Sequence, residues 1–135
     1  IGFDSGSDRI LKLIQKDETT EDMRRGAKML KDAGVPFTGY FMIGFPDETD
    51  DDVHETIKFA KEIDADYYSL SVLAPYFGTK TYYDMIEKGF ELDKKPWEYF
   101  FHQTGDLMVN KNISEKVLEE YLALNELNNN KKGYV

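Results

Sequence analysis

Three short strings hold most of the residues that could do chemistry. Asp4-Ser5-Gly6-Ser7-Asp8 sets carboxylates, hydroxyls and a glycine side by side. The N–H groups of a helix starting there could take an anion. An Asx or Ser turn with a helix cap uses the same residues. Gly44-Phe45-Pro46 offers a bare glycine that a flat ligand could approach closely, or a tight turn into a helix. Pro75-Tyr76-Phe77-Gly78-Thr79 is the third string. Lys16 ends a short apolar-periodic run, where a lysine counters the helix C-terminus. The acids Asp47, Glu48, Asp50, Asp51 and Asp52 lack the spacing of a calcium loop, and acids at a helix start have a sufficient electrostatic reason. His54 and His102 have no Cys, Asp or His at ligand spacing, so neither makes a triad or a zinc site. No metal ligand and no catalytic residue is assigned. Tyr67, Tyr68, Tyr76, Tyr82 and Tyr83 could stack on a ligand, but core packing accounts for most of them.

The elements that must position these strings alternate. Ile1–Phe3 reads as the carboxyl end of a strand. Ser7 or Asp8 caps a short helix to about Gln15, and Thr19 or Thr20 caps a longer one with Met23, Ala27, Leu30 and Ala33 on its apolar side. Gly34 and Pro36 end it. Phe37–Ile43 is a strand with Phe37, Phe41 and Ile43 on one face and Thr38, Tyr40 and Met42 on the other. Thr49 caps a helix with the stripe Val53, Ile57, Ala60 and Ile63. Tyr67–Leu73 is the next strand, and a helix follows from Lys80 to about Lys88, closed by Gly89. Beyond it the alternation fails. The aromatic segment Trp97–Phe101 is expected to pack over the preceding units. Ser114 caps a last helix, and Asn128 to Gly133 read as a frayed tail.

A strand-to-strand repeat of about thirty residues is one βαβ unit, so the sheet is parallel. An open doubly wound sheet and part of a (β/α) barrel both remain. Either brings the three strings to the carboxyl edge of the strands, where such folds keep their function.

The chain has 135 residues, 41% of them hydrophobic and 14% aromatic, enough for a core and too many for disorder. Twenty-six acids against 17 bases leave a net charge of −9, which speaks against a nucleic-acid partner. No run reaches the roughly 18 apolar residues of a membrane span, and no secretory signal opens the chain. Without cysteine there is no disulfide and no thiolate ligand. A cytoplasmic location fits that composition. The first residue is Ile1, and we read the chain as a piece of something larger.

Taken together, Gly2-Phe3-Asp4-Ser5-Gly6-Ser7-Asp8, Ile10-Leu11-Lys12, Phe41-Met42-Ile43-Gly44-Phe45-Pro46-Asp47-Glu48-Thr49 and Pro75-Tyr76-Phe77-Gly78-Thr79 resemble the radical S-adenosylmethionine superfamily. The subgroup they look most like is that of cobalamin-binding, oxidative-cyclase-like iron–sulfur oxidoreductases. The likeness covers residues 1–88. It implies an α/β fold in which parallel βαβ units form the C-terminal half of a partial (β/α) barrel, residues 1–89, with a C-terminal helical extension over 90–135. In that family a CxxxCxxC loop holds a [4Fe–4S] cluster, which binds S-adenosylmethionine and splits it to a 5′-deoxyadenosyl radical. This chain lacks those cysteines, so the resemblance implies that it is inactive alone and binds no cofactor firmly. It would contribute the ribose, adenine and carboxylate side of the site and part of the substrate lumen.

Position by position, the resemblance implies Asp4 near the ribose or methionine end, with Ser5 as companion hydroxyl. Glu or Gln is more usual at the position of Asp4. Lys16 would pair with the methionine carboxylate. Tyr40 would face the lumen, where relatives hold an acid, and Gly44 and Leu73 would line the adenine. Cobalamin in the parent stays open. The expected partners are the N-terminal half of the same barrel and a small-molecule substrate, with self-association through the exposed barrel edge. Two other readings remain: a fragment of another (β/α) barrel enzyme that binds a phosphorylated or nucleotide substrate, and a non-catalytic interaction module.

Overall fold

Strands β1 (Gly2–Asp4), β2 (Thr38–Ile43) and β3 (Tyr67–Val72) lie side by side in chain order, all parallel. The computed structural model that shows this describes residues 1–100 and 110–130. Helices α1 (Asp8–Leu13) and α2 (Thr20–Asp32) connect β1 to β2, and α3 (Asp50–Ile63) connects β2 to β3. These are the βαβ units that the spacing predicts, and the fold is α/β, an arc of a partial barrel. Helix α4 (Lys80–Glu87) follows β3. Two short 3-10 turns, then α5 (Glu115–Leu122), a third 3-10 turn and α6 (Glu126–Asn130), complete the described chain.

β2 and β3 run in register from Thr38 beside Tyr67 to Ile43 beside Val72. Their side chains alternate as expected of a sheet covered on one side. Phe41, Ile43, Tyr68, Leu70 and Val72 are buried under the helices with Met23, Ala27, Val53, Ile57, Phe59 and Ala60. Phe3 and Phe41 stack with ring centres 5.4 Å apart, and Phe59 meets Phe3 edge-on at 5.9 Å. Thr38, Tyr40, Met42, Ser69 and Ser71 stand on the opposite face, none of them buried.

The helix starts follow local chemistry. Thr19 and Asp22 exchange bonds in a capping box, and the Asp52 carboxylate takes both the N–H and the hydroxyl of Thr49. Ser114 caps α5 through the Val117 N–H. Gly34 follows α2 in the left-handed region at φ 69°. Ser7 differs from expectation. It occupies the cap position of α1 but makes no side-chain cap bond, because its hydroxyl donates to Asp52 across the fold at 3.0 Å.

The C-terminal part also differs. Trp97 is 80% exposed, whereas Phe100 sits 6.3 Å from the Tyr82 ring; Phe101 and His102 lie outside the described residues. Asn128 belongs to α6, not to a frayed tail. Its amide takes the Tyr68 N–H at 2.8 Å and donates to the Tyr68 carbonyl at 2.9 Å. Ile113, Val117, Tyr121 and Leu124 join the main core, while Tyr82, Met85 and Leu92 form a smaller one.

Candidate functional site

Residues at the carboxyl edge of the sheet come together in three groups. The first surrounds Asp4. Helix α1 ends in a Schellman motif: the Lys16 N–H bonds the Leu11 carbonyl at 2.9 Å and the Gln15 N–H bonds the Lys12 carbonyl at 3.1 Å. Gln15 supplies the left-handed residue at φ 58°. The turn sends Lys16 back over β1, where its ammonium donates to the Gly2 carbonyl and pairs with the Asp4 carboxylate at 2.6 Å. Asp4 itself is left-handed, at φ 60°, a region that Asp tolerates better than most residues. The structure thus unites Asp4 and Lys16, two of the predicted residues twelve positions apart.

Ser5 goes elsewhere. It is fully buried, its hydroxyl 3.1 Å from that of Thr56 in α3, and it accepts the Ser7 N–H. Gly6 beside it lies against α3, with its own N–H on the Thr56 hydroxyl. The second group ties this loop down. Asp52 accepts from the Ser7 hydroxyl, from Thr49 and from the Arg9 guanidinium. Burial acts to raise the Asp52 carboxyl, but the bonds from Arg9, Thr49 and Ser7 outweigh it and hold the group well below the usual carboxylate range.

The third group is the exit of β2. Gly44 is left-handed at φ 97°, and a Cβ added there would meet the Leu73 backbone nitrogen at 3.4 Å. Gly44 and Leu73 therefore share one edge, as the βαβ spacing predicts. Leu73 bonds the Ile43 carbonyl at 2.7 Å. Beside them opens a cleft of about 440 Å³ lined by Met42, Ser71, Leu73, Ala74, Tyr76 and Thr79 among others. Tyr40 stands lower on the open face, 52% exposed, level with Gly2.

By its place in the sequence, Glu48 is one of a run of acids at a helix start. It is fully buried instead. Its Oε2 accepts the N–H groups of Gly44 at 2.6 Å and Phe45 at 3.1 Å. Burial pushes its carboxyl up to about 7, against the pull of those two N–H groups. Asn110 clamps the same loop by donating to the carbonyls of Phe45 and Glu48. The signal for Glu48 was its place before the Thr49 cap, where the helix-end argument for Asp50 to Asp52 no longer applies. Nothing local marks Asn110.

Against this geometry, the sequence profile of the Radical SAM superfamily matches residues 1–60, which hold the first two groups and the Gly44 loop. Over those residues the chain is similar to the radical SAM superfamily. An uncharacterized methyltransferase of Pyrococcus horikoshii is 44% identical over 79 residues, 58% of this chain and 17% of that protein. A tRNA-2-methylthio-N(6)-dimethylallyladenosine synthase of Thermosipho africanus is 27% identical over 120 residues, 84% of this chain and 28% of its own length. The enzyme of that name from Bartonella bacilliformis is 41% identical over 61 residues, 44% of this chain and 13% of its own length. The chain therefore spans well under a third of each of these relatives. The chemistry of that superfamily uses two groups, an iron–sulfur cluster and S-adenosylmethionine. An iron–sulfur cluster does not fit the residues present: the chain has no cysteine, and among the described residues no cluster of His, Asp or Glu could hold a metal. S-adenosylmethionine fits better. Gly44 leaves room that a side chain would fill, Met42 and Leu73 give an apolar wall, and Lys16 and Asp4 put opposite charges on the same rim. No helix among the described residues is long and apolar enough to cross a membrane.

Proposed function

We propose that this chain is the C-terminal half of a radical SAM barrel, belonging to an enzyme that adds a methyl or methylthio group, as the names of its relatives suggest. One observation carries the reading. The matched residues 1–60 place Asp4, Lys16, Tyr40 and Gly44 along one sheet edge and its open face, next to the apolar cleft at Leu73. Lys16 would meet the carboxylate of S-adenosylmethionine, Asp4 its ribose, and Gly44, Met42 and Leu73 its adenine. When bound, the cofactor supplies the sulfonium chemistry of the superfamily, and the cluster ligands come from the other half of the barrel. Ser5 acts here from beneath the loop, by holding it on Thr56. The outer edge of β1 is where the N-terminal half would pair. At a net charge of −9, this segment is not the part that grips a nucleic acid. Any cobalamin belongs to another region of the parent, and the reading places the protein in the cytoplasm.

Equilibrium binding of S-adenosylmethionine to the cluster-reconstituted, full-length protein tests the reading. Lys16→Ala should weaken binding roughly ten- to a hundredfold, the worth of a charge-assisted hydrogen bond. Lys12→Ala should change little. Gly44→Val should weaken binding through bulk, with the salt dependence unchanged. The 135-residue chain alone should bind weakly or not at all. Equal binding by the two lysine variants would remove Lys16 from the site, and tight binding by the chain alone would end the half-site reading.

A further inference from the structure

Lys16 stands between two carboxylates. Its ammonium lies 2.6 Å from Oδ2 of Asp4 and 3.9 Å from Oε2 of Glu18. Asp4 ends β1 on the sheet edge. Glu18 lies in the connection from α1 to α2, where it lines a separate hollow with Asp8, Lys12 and Thr19. The backbone is bent to make the closer pair. Asp4 and Gln15, the residue before Lys16, are two of the three non-glycine residues with positive φ among the described residues. Strain of this kind clusters at ligand sites and persists where the surroundings over-determine it. A lysine ammonium has three N–H groups. Asp4 and the Gly2 carbonyl each accept one, which leaves one to donate to a ligand.

We propose that Asp4 is a positioning residue for Lys16: its Oδ2 holds the ammonium over β1 and away from Glu18, so that the remaining N–H is ready for the carboxylate of S-adenosylmethionine. The inference rests on the reading of Lys16 as that carboxylate's partner, and it gives Asp4 a task besides the ribose. Oδ2 is engaged with Lys16, and Oδ1 is the oxygen left for a ribose hydroxyl. Two effects oppose each other here. The charge of Asp4 repels an incoming carboxylate, while its hold fixes a long, flexible side chain before the ligand arrives. The hold wins, because Lys16 without Asp4 does not stand free. Glu18 lies within reach and draws the ammonium off the sheet edge. The ligand must then compete with Glu18 for the lysine. The positive sulfonium of the cofactor, which Asp4 attracts, offsets part of the repulsion.

The test measures equilibrium binding of S-adenosylmethionine to the full-length, cluster-reconstituted protein carrying Asp4→Asn, Glu18→Gln, Lys16→Ala and their pairwise combinations. Asparagine tolerates the left-handed backbone as aspartate does and keeps an acceptor oxygen for the ribose, but it has no charge with which to hold the lysine. Asp4→Asn should weaken binding roughly fivefold, the difference between a charge-assisted and a neutral hydrogen bond. Glu18→Gln alone should change binding less than about twofold, since an exposed charge contributes little. Added to Asp4→Asn, it should recover most of the lost affinity, because the competitor for Lys16 is gone. In the Lys16→Ala background, Asp4→Asn should cost nothing further. A contact of Asp4 with the ligand alone gives neither the recovery nor the loss of effect. Unchanged or tighter binding by Asp4→Asn would overturn the proposal, as would a loss that Glu18→Gln does not relieve. If Lys16→Ala leaves binding unchanged, the carboxylate reading falls and this inference with it. If Lys16→Ala weakens binding and the cost of Asp4→Asn simply adds to it, this inference falls alone.

Discussion

Gly6 shows how a single hydrogen atom in place of a side chain can hold two elements together. A Cβ there would lie 2.5 Å from the Phe59 Cβ and 2.7 Å from the Glu55 carbonyl, both part of α3. Gly6→Ala should destabilise the chain by about 1–3 kcal/mol, the usual cost of overpacking, as read from urea denaturation. Glu48 and Asp52 shape the pH profile in opposite directions. The folded carboxyl of Glu48 lies near 7, above its ordinary 4.5, so the folded state keeps this proton longer than the unfolded chain. Its contribution is complete below the ordinary value and is lost as pH rises toward neutrality, at a cost of about 2–4 kcal/mol. Asp52 is held below its ordinary 3.8, so its contribution is present above that value and lost as pH falls. Stability should therefore peak in mildly acid solution, and Glu48→Gln should flatten the decline toward neutral pH in chemical denaturation. Little of this was legible in the sequence. A glycine reads the same whether it serves a turn or a close approach, and the surroundings of Glu48 include Asn110, far along the chain.

Helices and strands were the legible scale, because their signals are local. Alternating burial along β2 and β3, the threonine caps and the left-handed Gly34 all follow from residues a few positions apart. What the sequence hid is the edge of β3. There the Tyr121 hydroxyl accepts the Ser71 N–H at 3.3 Å and donates to the Ser71 carbonyl at 3.2 Å, fifty residues away in the chain. Asn128 does the same for Tyr68. Two side chains thus do the work of a neighbouring strand. Tyr121→Phe keeps the packing but leaves these groups unpaired, and should cost about 1–3 kcal/mol. The Ser71 amide should then exchange faster in hydrogen-exchange measurements, while amides in the centre of β2 remain protected. A uniform rise across the sheet would mean that Tyr121 serves the core alone.

At the scale of the molecule, the sheet has two unlike sides. Helices cover Phe3, Phe41 and Leu70, while Tyr40 stands 52% exposed on the other face. The outer edge of β1 has no strand beside it among the described residues. Unpaired edges and exposed faces of this kind seek partners. The isolated chain should self-associate as its concentration rises, and sedimentation equilibrium would show it; a monomer at every concentration would contradict this. The partial barrel was readable because its repeat is regular, whereas the seal on β3 depends on pairings between distant segments. That seal also fixes a valence. A sheet open on both sides can add copies without end and grow into a fibre. With Tyr121 and Asn128 occupying one side, one open strand edge is left among the described residues, so strand pairing at β1 should join two chains without propagating to a third.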